Sequence, residues 1–215
     1  KLRGVRSRMT RTTAFSVVVL LFALHLCNEA RFTAASPKKP PFEEAEENFL
    51  YQNVRAAINI TGRVYVIMRN YNISTKFRCL YSERVKTRNK THYVLTLGAA
   101  TPPEWKYIQK FNTTAVISKT GKHKKYNAVT YMFRPTDPPK LHKLMYINKE
   151  RSCLIFVENR YPAKKRARCQ LMQPAVSAHR GIPHDCSTVF RKNCPGKPVR
   201  IYQPWCQGLP ELPPK

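Results

Sequence analysis

Arg63-Val-Tyr-Val-Ile-Met-Arg-Asn70 follows Gly62 and sets a two-residue spacing of apolar side chains. Val64, Val66 and Met68 take one side; Tyr65 and Ile67 take the other. β-Branched and aromatic residues at this period read as a strand. The same chemistry recurs downstream at Lys76–Arg84, His92–Gly98, Ala115–Ser118, Ala128–Arg134, Lys143–Ile147, Cys153–Glu158 and Arg168–Gln173. Turn-forming segments fall at Lys86–Lys90, Lys119–Lys125, Pro135–Pro139 and Asn159–Lys165. About eight short strands with no fixed-period repeat predict an all-β fold with minor α, either a sandwich or an up-and-down barrel.

The flanks read differently. Upstream, Glu43 to Ala57 begins acidic and then places Phe49, Leu50, Val54 and Ala57 at helical spacing. Acidic residues suit a helix N-terminus, so the pattern predicts one helix after an extended Pro37–Pro41 leader. Downstream, Pro183 precedes a short helix over Asp185–Asn193, and Pro195-Gly196 stops it. Val199–Tyr202 is then extended, and the chain passes Cys206 before a proline-rich end.

Arg3, Arg6, Arg8 and Arg11 precede an apolar run from Ala14 to Leu24, the layout of a secretory signal peptide. The run is well short of the roughly 20 apolar residues that span a bilayer. Met9 is the expected initiator, and cleavage after Ala30 or Ala35 leaves a small residue at the junction. The expected organisation is therefore 1–35 as upstream residues and signal peptide, with 36–215 as one domain. No other segment reads as a membrane span. Secretion also accounts for the cysteines: Cys27 leaves with the signal, and an even set remains at Cys79, Cys153, Cys169, Cys186, Cys194 and Cys206. Six cysteines allow 15 pairings. Their wide spacing gives no metal-ligand pattern. Sequons at Asn59, Asn72, Asn89 and Asn112 predict surface glycans.

Several residue runs resemble the tick salivary lipocalins, the family that includes the histamine-binding proteins. Arg151-Ser-Cys-Leu-Ile-Phe-Val is similar to that family's cysteine-bearing late strand. Cys169-Gln-Leu-Met is similar to its Cys-Glu-Leu-Trp strand, with Met172 in place of the tryptophan. Cys186-Ser-Thr-Val-Phe-Arg-Lys-Asn-Cys194 resembles its Cys-x3-Phe-x3-Cys helix, and Tyr202-Gln-Pro-Trp-Cys206 its closing Tyr-x3-Cys. The resemblance covers Glu43 to Cys206. It implies an eight-stranded antiparallel lipocalin barrel with N-terminal and C-terminal helices packed outside. It also implies the disulfides Cys79–Cys206 and Cys153–Cys186, leaving Cys169–Cys194 as the third.

Small-ligand binding inside the barrel is the function the resemblance implies, without a cofactor. If the tail lies outside the barrel, Cys79, Cys153 and Cys169 face outward, and their neighbours Arg78, Leu80, Leu154, Phe156, Gln170 and Met172 face inward. Ordinary core filling is the competing reading of the apolar four. The amine-binding members of the family carry an aspartate directly after the cysteine that corresponds to Cys153; here Leu154 stands there. A buried amine needs a carboxylate, so this change disfavours histamine and serotonin. Glu83, Glu104, Asp137, Glu150 and Glu158 are the remaining acidic candidates. An inward Arg78 would instead pair with an acidic lipid such as a fatty acid or leukotriene; its competing position is the rim. The expected partner is thus a small host mediator, amine or anionic lipid, sequestered at a feeding site to counter host defence. The alternative is a barrel acting through its surface as a protein-binding inhibitor of complement, clotting or inflammation.

The chain carries a formal charge of +27. Only six Lys or Arg and one Glu lie in the first 35 residues, so most of the charge stays beyond them. Basic clusters occur at Arg84–Lys90, Lys119–Lys125 and Lys164–Arg168. Each falls at a predicted hairpin end, where solvated loop charge competes with heparan sulfate or host-protein binding. Nucleic acid is a poor fit, because the aromatics sit in strands and not among these lysines. No enzyme signature appears: the histidines lack metal spacing, and with seven glycines there is no nucleophile elbow or phosphate loop.

Overall fold

The computed structural model describes residues 39–160 and 165–212. The expected signal peptide lies outside them, as does Lys164 of the third basic cluster. Strands run β1 Val64–Arg69, β2 Arg78–Thr87, β3 His92–Ala100, β4 Ile108–Ser118, β5 Ala128–Tyr131, β6 Lys140–Ile147, β7 Leu154–Glu158 and β8 Cys169–Pro174, with a two-residue β9 at Val199–Arg200. Each of the eight main strands pairs antiparallel with the next, and β1 pairs with both β8 and β2. This closes an eight-stranded antiparallel barrel.

All eight expected strands are present. β4 starts seven residues before its expected Ala115, since the exposed polar residues Gln109, Lys110, Asn112 and Thr114 occupy both faces of its first half and mask the alternation. Helical content departs more. The single helix expected over Glu43–Ala57 is three pieces: 3-10 turns at Phe42–Glu44 and Glu46–Tyr51, then α1 at Val54–Ile58. The break falls where Asn53 caps α1, its side chain accepting from the Arg55 amide at 3.1 Å. A capping asparagine offers the backbone an alternative to a continuing helix. α1 closes one end of the barrel, where the Val54 amide donates to the Tyr126 carbonyl at 2.9 Å.

Two bulges displace side chains. In β1, Val66 pairs with Met172 but Met68 pairs with Leu171, so Ile67 is the extra residue. Ile67 and Met68 both pack in the outer apolar layer. In β2, Arg78 pairs with Ala100 and Tyr81 with Gly98, and Cys79 has φ 55°. Bulges of this kind interrupt the alternation of faces. Here β2 also parts from β1, and β9 takes its place: Met68 and Arg69 pair with Arg200 and Val199. The Cys79 amide then donates to the Ile201 carbonyl at 3.2 Å.

Apolar side chains form two layers. Val64, Val66, Leu95, Ile117, Val129, Leu144, Leu154 and Met172 fill the interior. Tyr65, Ile67, Ile155, Leu171, Phe190 and Tyr202 pack between the wall and the C-terminal segment. After the short α2 (Ala175–Ala178) comes α3, His184–Asn193. Asp185 in its first turn and Arg191 and Lys192 in its last suit the helix dipole. Cys186 and Phe190, four residues apart, share its buried face. The three disulfides are those the resemblance implies: Cys79–Cys206, Cys153–Cys186 and Cys169–Cys194, with Cα separations of 5.2, 6.4 and 5.8 Å. Each fastens the wall to α3 or the tail from outside. Among the described residues no helix is long and apolar enough to cross a membrane.

Candidate functional site

The barrel ends differ. Loops β2–β3 and β4–β5, the β6–β7 turn and α1 lie at one end; loops β1–β2, β3–β4, β5–β6 and β7–β8 lie at the other. The second end opens into a cavity of about 870 Å³. Below it, a small chamber of about 70 Å³ is lined by Val54, Ala57, Ile58, Leu95, Val129 and Leu154. Tyr131, Gln170 and Met172 line both and stand between them.

Five of the six expected ligand-binding residues face this interior. Leu80 lines the large cavity, Leu154 and Phe156 the small chamber, and Gln170 and Met172 both. Arg78 does not. Its guanidinium donates to the Thr75 and Phe77 carbonyls, each at 2.9 Å. The expectation assumed strict alternation from Cys79 through Arg78, and the β2 bulge with positive φ at Cys79 removes it.

Arg69 supplies the inward cation instead. Alternation from Val64 and Val66 would aim Met68 inward; the extra residue at Ile67 shifts the register and brings Arg69 to the cavity wall. It is 9% exposed, and its Nε has no hydrogen-bond partner. Its guanidinium sits 5.1 Å from the Tyr71 ring centroid, and that of Arg168 4.7 Å from the same ring. Arg168 pairs with Glu158 at 3.0 Å. Arg69 has no ion-pair partner among the described residues, and burial lowers its pKa from the ordinary value. Two guanidinium groups therefore face one carboxylate across a buried tyrosine, whose own pKa burial pushes up to about 12.

Below these charges a polar chain leads inward. Tyr71 Oη donates to Gln170 Oε1 at 3.3 Å, and Gln170 Nε2 donates to Tyr131 Oη at 3.4 Å. Leu97, Phe111 and Phe133 add apolar surface to the large cavity. None of Arg69, Tyr71, Tyr131, Phe133 or Arg168 is among the site residues expected from sequence. The inward period along β5 could have found Tyr131; Arg69 depends on the bulge, for which Arg63–Asn70 carries no local signal.

The acidic candidates separate by position. Glu158 and Asp137 line the large cavity. Glu83 lies 4.0 Å from Arg63, Glu104 pairs with Lys106 at 2.8 Å, and Glu150 sits in the β6–β7 turn at the closed end. Leu154 lies in the small apolar chamber, whose lining holds no acidic residue. The four sequon asparagines, Asn59, Asn72, Asn89 and Asn112, are all exposed.

The family model described as tick histamine binding protein matches residues 42–208. No curated protein matches the chain. Japanin from Rhipicephalus appendiculatus bound to cholesterol is similar in structure, with a TM-score of 0.51 at 13% identity over 68% of this chain and 95% of that one. AM182 in its serotonin complex gives a TM-score of 0.50 at 14% identity over 74% of this chain and 93% of that one. At these identities the structural likeness concerns the fold.

Proposed function

This chain belongs to the tick histamine-binding protein family, and from that premise we propose that its barrel sequesters a small amphipathic acid, such as a fatty acid or leukotriene. The observation that carries this reading is Arg69, buried at the cavity wall with no acidic partner among the described residues, while Arg168 holds the neighbouring Glu158. A buried cation without a partner is costly, and a ligand carboxylate would offset that cost. The ligand's apolar part has Leu80, Leu97, Phe111, Phe133 and Met172 to lie against. Concave, mostly apolar cavities with a few convergent polar groups are the usual form of small-molecule sites. The cholesterol of japanin and the serotonin of AM182 support an internal ligand, and Leu154 in place of an aspartate weighs against an amine.

The expected site residues Leu80, Leu154, Phe156, Gln170 and Met172 belong to this proposal; Arg69 takes the role expected of Arg78. Three disulfides and four exposed sequons support secretion, and with it sequestration of a host mediator at a feeding site. Calorimetry with a long-chain fatty acid, a leukotriene, histamine and serotonin tests the reading. The acids are expected to bind, Arg69→Gln to weaken them roughly tenfold or more, and Arg78→Ala to leave them unchanged. Tight histamine or serotonin binding with no binding of either acid overturns it.

A further inference from the structure

At the closed end of the barrel, opposite the cavity mouth, the fold assembles positive charge from three separate parts of the chain. The β2–β3 hairpin presents Lys86, Arg88 and Lys90, and the β4–β5 loop presents Lys119, Lys124 and Lys125, all exposed. The hairpin and the loop are neighbours, because the Ile117 amide donates to the Thr91 carbonyl at 2.9 Å. Arg55 on α1 joins them, its guanidinium 4.6 Å from the Tyr126 ring centroid.

The acids of the N-terminal segment do not neutralise this surface. Glu43 is held by Arg160 at 2.5 Å, Glu44 by Lys143 at 2.6 Å, Glu46 by Lys122 at 2.9 Å and Glu47 by Lys39 at 3.6 Å. Among the described residues none of Arg55, Lys86, Arg88, Lys90, Lys119, Lys124 or Lys125 forms an ion pair. These cations share one end, and the four acids of that segment are already engaged. They set up a local positive field that attracts extended polyanions.

The aromatic chemistry selects among polyanions. Single-stranded nucleic acid is held by bases stacking on open aromatic faces. The β4–β5 loop carries two aromatic rings: His123 is buried against Phe49, with ring centroids 3.7 Å apart, and Arg55 and Lys119 cover the ring of Tyr126, the Lys119 ammonium 5.7 Å from the centroid. The patch thus offers charge and hydrogen-bond donors without a stacking platform, which suits a chain of sulfated sugars. We propose that the closed end is a binding site for a sulfated glycosaminoglycan of the heparan sulfate class. It lies at the other end of the barrel from the ligand cavity, so both sites can be filled at once, and the carrier stays on extracellular matrix while its cavity captures ligand.

The test is surface plasmon resonance of the full secreted chain on immobilised heparan sulfate at near-physiological and raised salt. Arg88→Ala, Lys90→Ala, Lys119→Ala and Lys125→Ala are combined in one variant; Lys165→Ala with Arg166→Ala, in the β7–β8 loop at the open end, forms the control. Thermal melting checks that both variants fold. The closed-end variant is expected to lose roughly tenfold or more in affinity, with a shallower salt dependence, since fewer counterions are released. The control is expected to stay within about twofold, a surface charge at the wrong end being screened over about a Debye length. Equal binding by the closed-end variant, an equal loss in the control, or binding to single-stranded DNA or anionic phospholipid vesicles as tight as to heparan sulfate overturns the proposal.

Discussion

Replacing His142 by leucine removes a pH-dependent part of the barrel's stability. The ring lies on β6, 5.0 Å from the Tyr131 ring and edge-on to Phe133 at 5.0 Å. It is 1% exposed; Nδ1 faces the Lys140 carbonyl at 3.1 Å, and Nε2 is buried without a partner. Burial lowers its pKa from 6.5 to about 4, and the Lys140 and Arg168 charges act in the same direction. The folded protein therefore keeps the ring neutral, while the unfolded chain takes up a proton below about pH 6.5. The ring's contribution is fully present above that pH and is lost as pH falls toward 4. Each tenfold difference in proton affinity between the two states is worth about 1.4 kcal/mol. The full loss is therefore about 3 kcal/mol, of which about 2 kcal/mol has gone by pH 5. Urea unfolding at pH 7.5 and pH 5.0 reads this directly, above the range in which most carboxylates protonate. The unmodified protein should lose about 2 kcal/mol more between the two than His142→Leu, since the remaining histidines contribute equally to both. An equal loss in the two proteins refutes the reasoning.

Gly98→Ala tests the close approach of β2 to β3. A Cβ there would clash with the Tyr81 ring, whose hydroxyl donates to Glu211 at 3.0 Å. Thermal unfolding should register a loss of about 1–3 kcal/mol, typical of overpacking. The pair Cys79→Ala and Cys206→Ala opens a loop of sequence separation 127. In the chain-entropy model this costs at most about 5 kcal/mol in urea unfolding. Amide exchange should rise first at Cys79 and its neighbours, where the bridge holds the contact with Ile201.

Periodicity is local, and what it specifies is legible in the chain. Eight strands and the helix over 185–193 can be read from neighbouring residues, because each strand must turn one face to the interior and one away; that the cysteines face outward is what the family resemblance implied. The interior positions Leu80, Leu154, Phe156, Gln170 and Met172 follow from the same rule once the cysteines are placed outside. The N-terminal helix is not continuous as its spacing predicts, because the apolar positions Phe49, Leu50, Val54 and Ala57 do not reveal where Asn53 will cap. The charge that faces the cavity cannot be read this way either. Whether Arg69 or Arg78 points inward depends on one extra residue in β1 at Ile67 and one positive φ in β2 at Cys79. Both irregularities lie where β2 leaves β1 and the tail, tied back through Cys79–Cys206, fills the gap with β9. A bulge shifts the facing of the residues around it, and its position is set by which segments compete for the same backbone hydrogen bonds. That competition exists only after the barrel has closed, so the residue pattern specified the strands, the family resemblance added the barrel and its apolar wall, and tertiary structure chose the arginine.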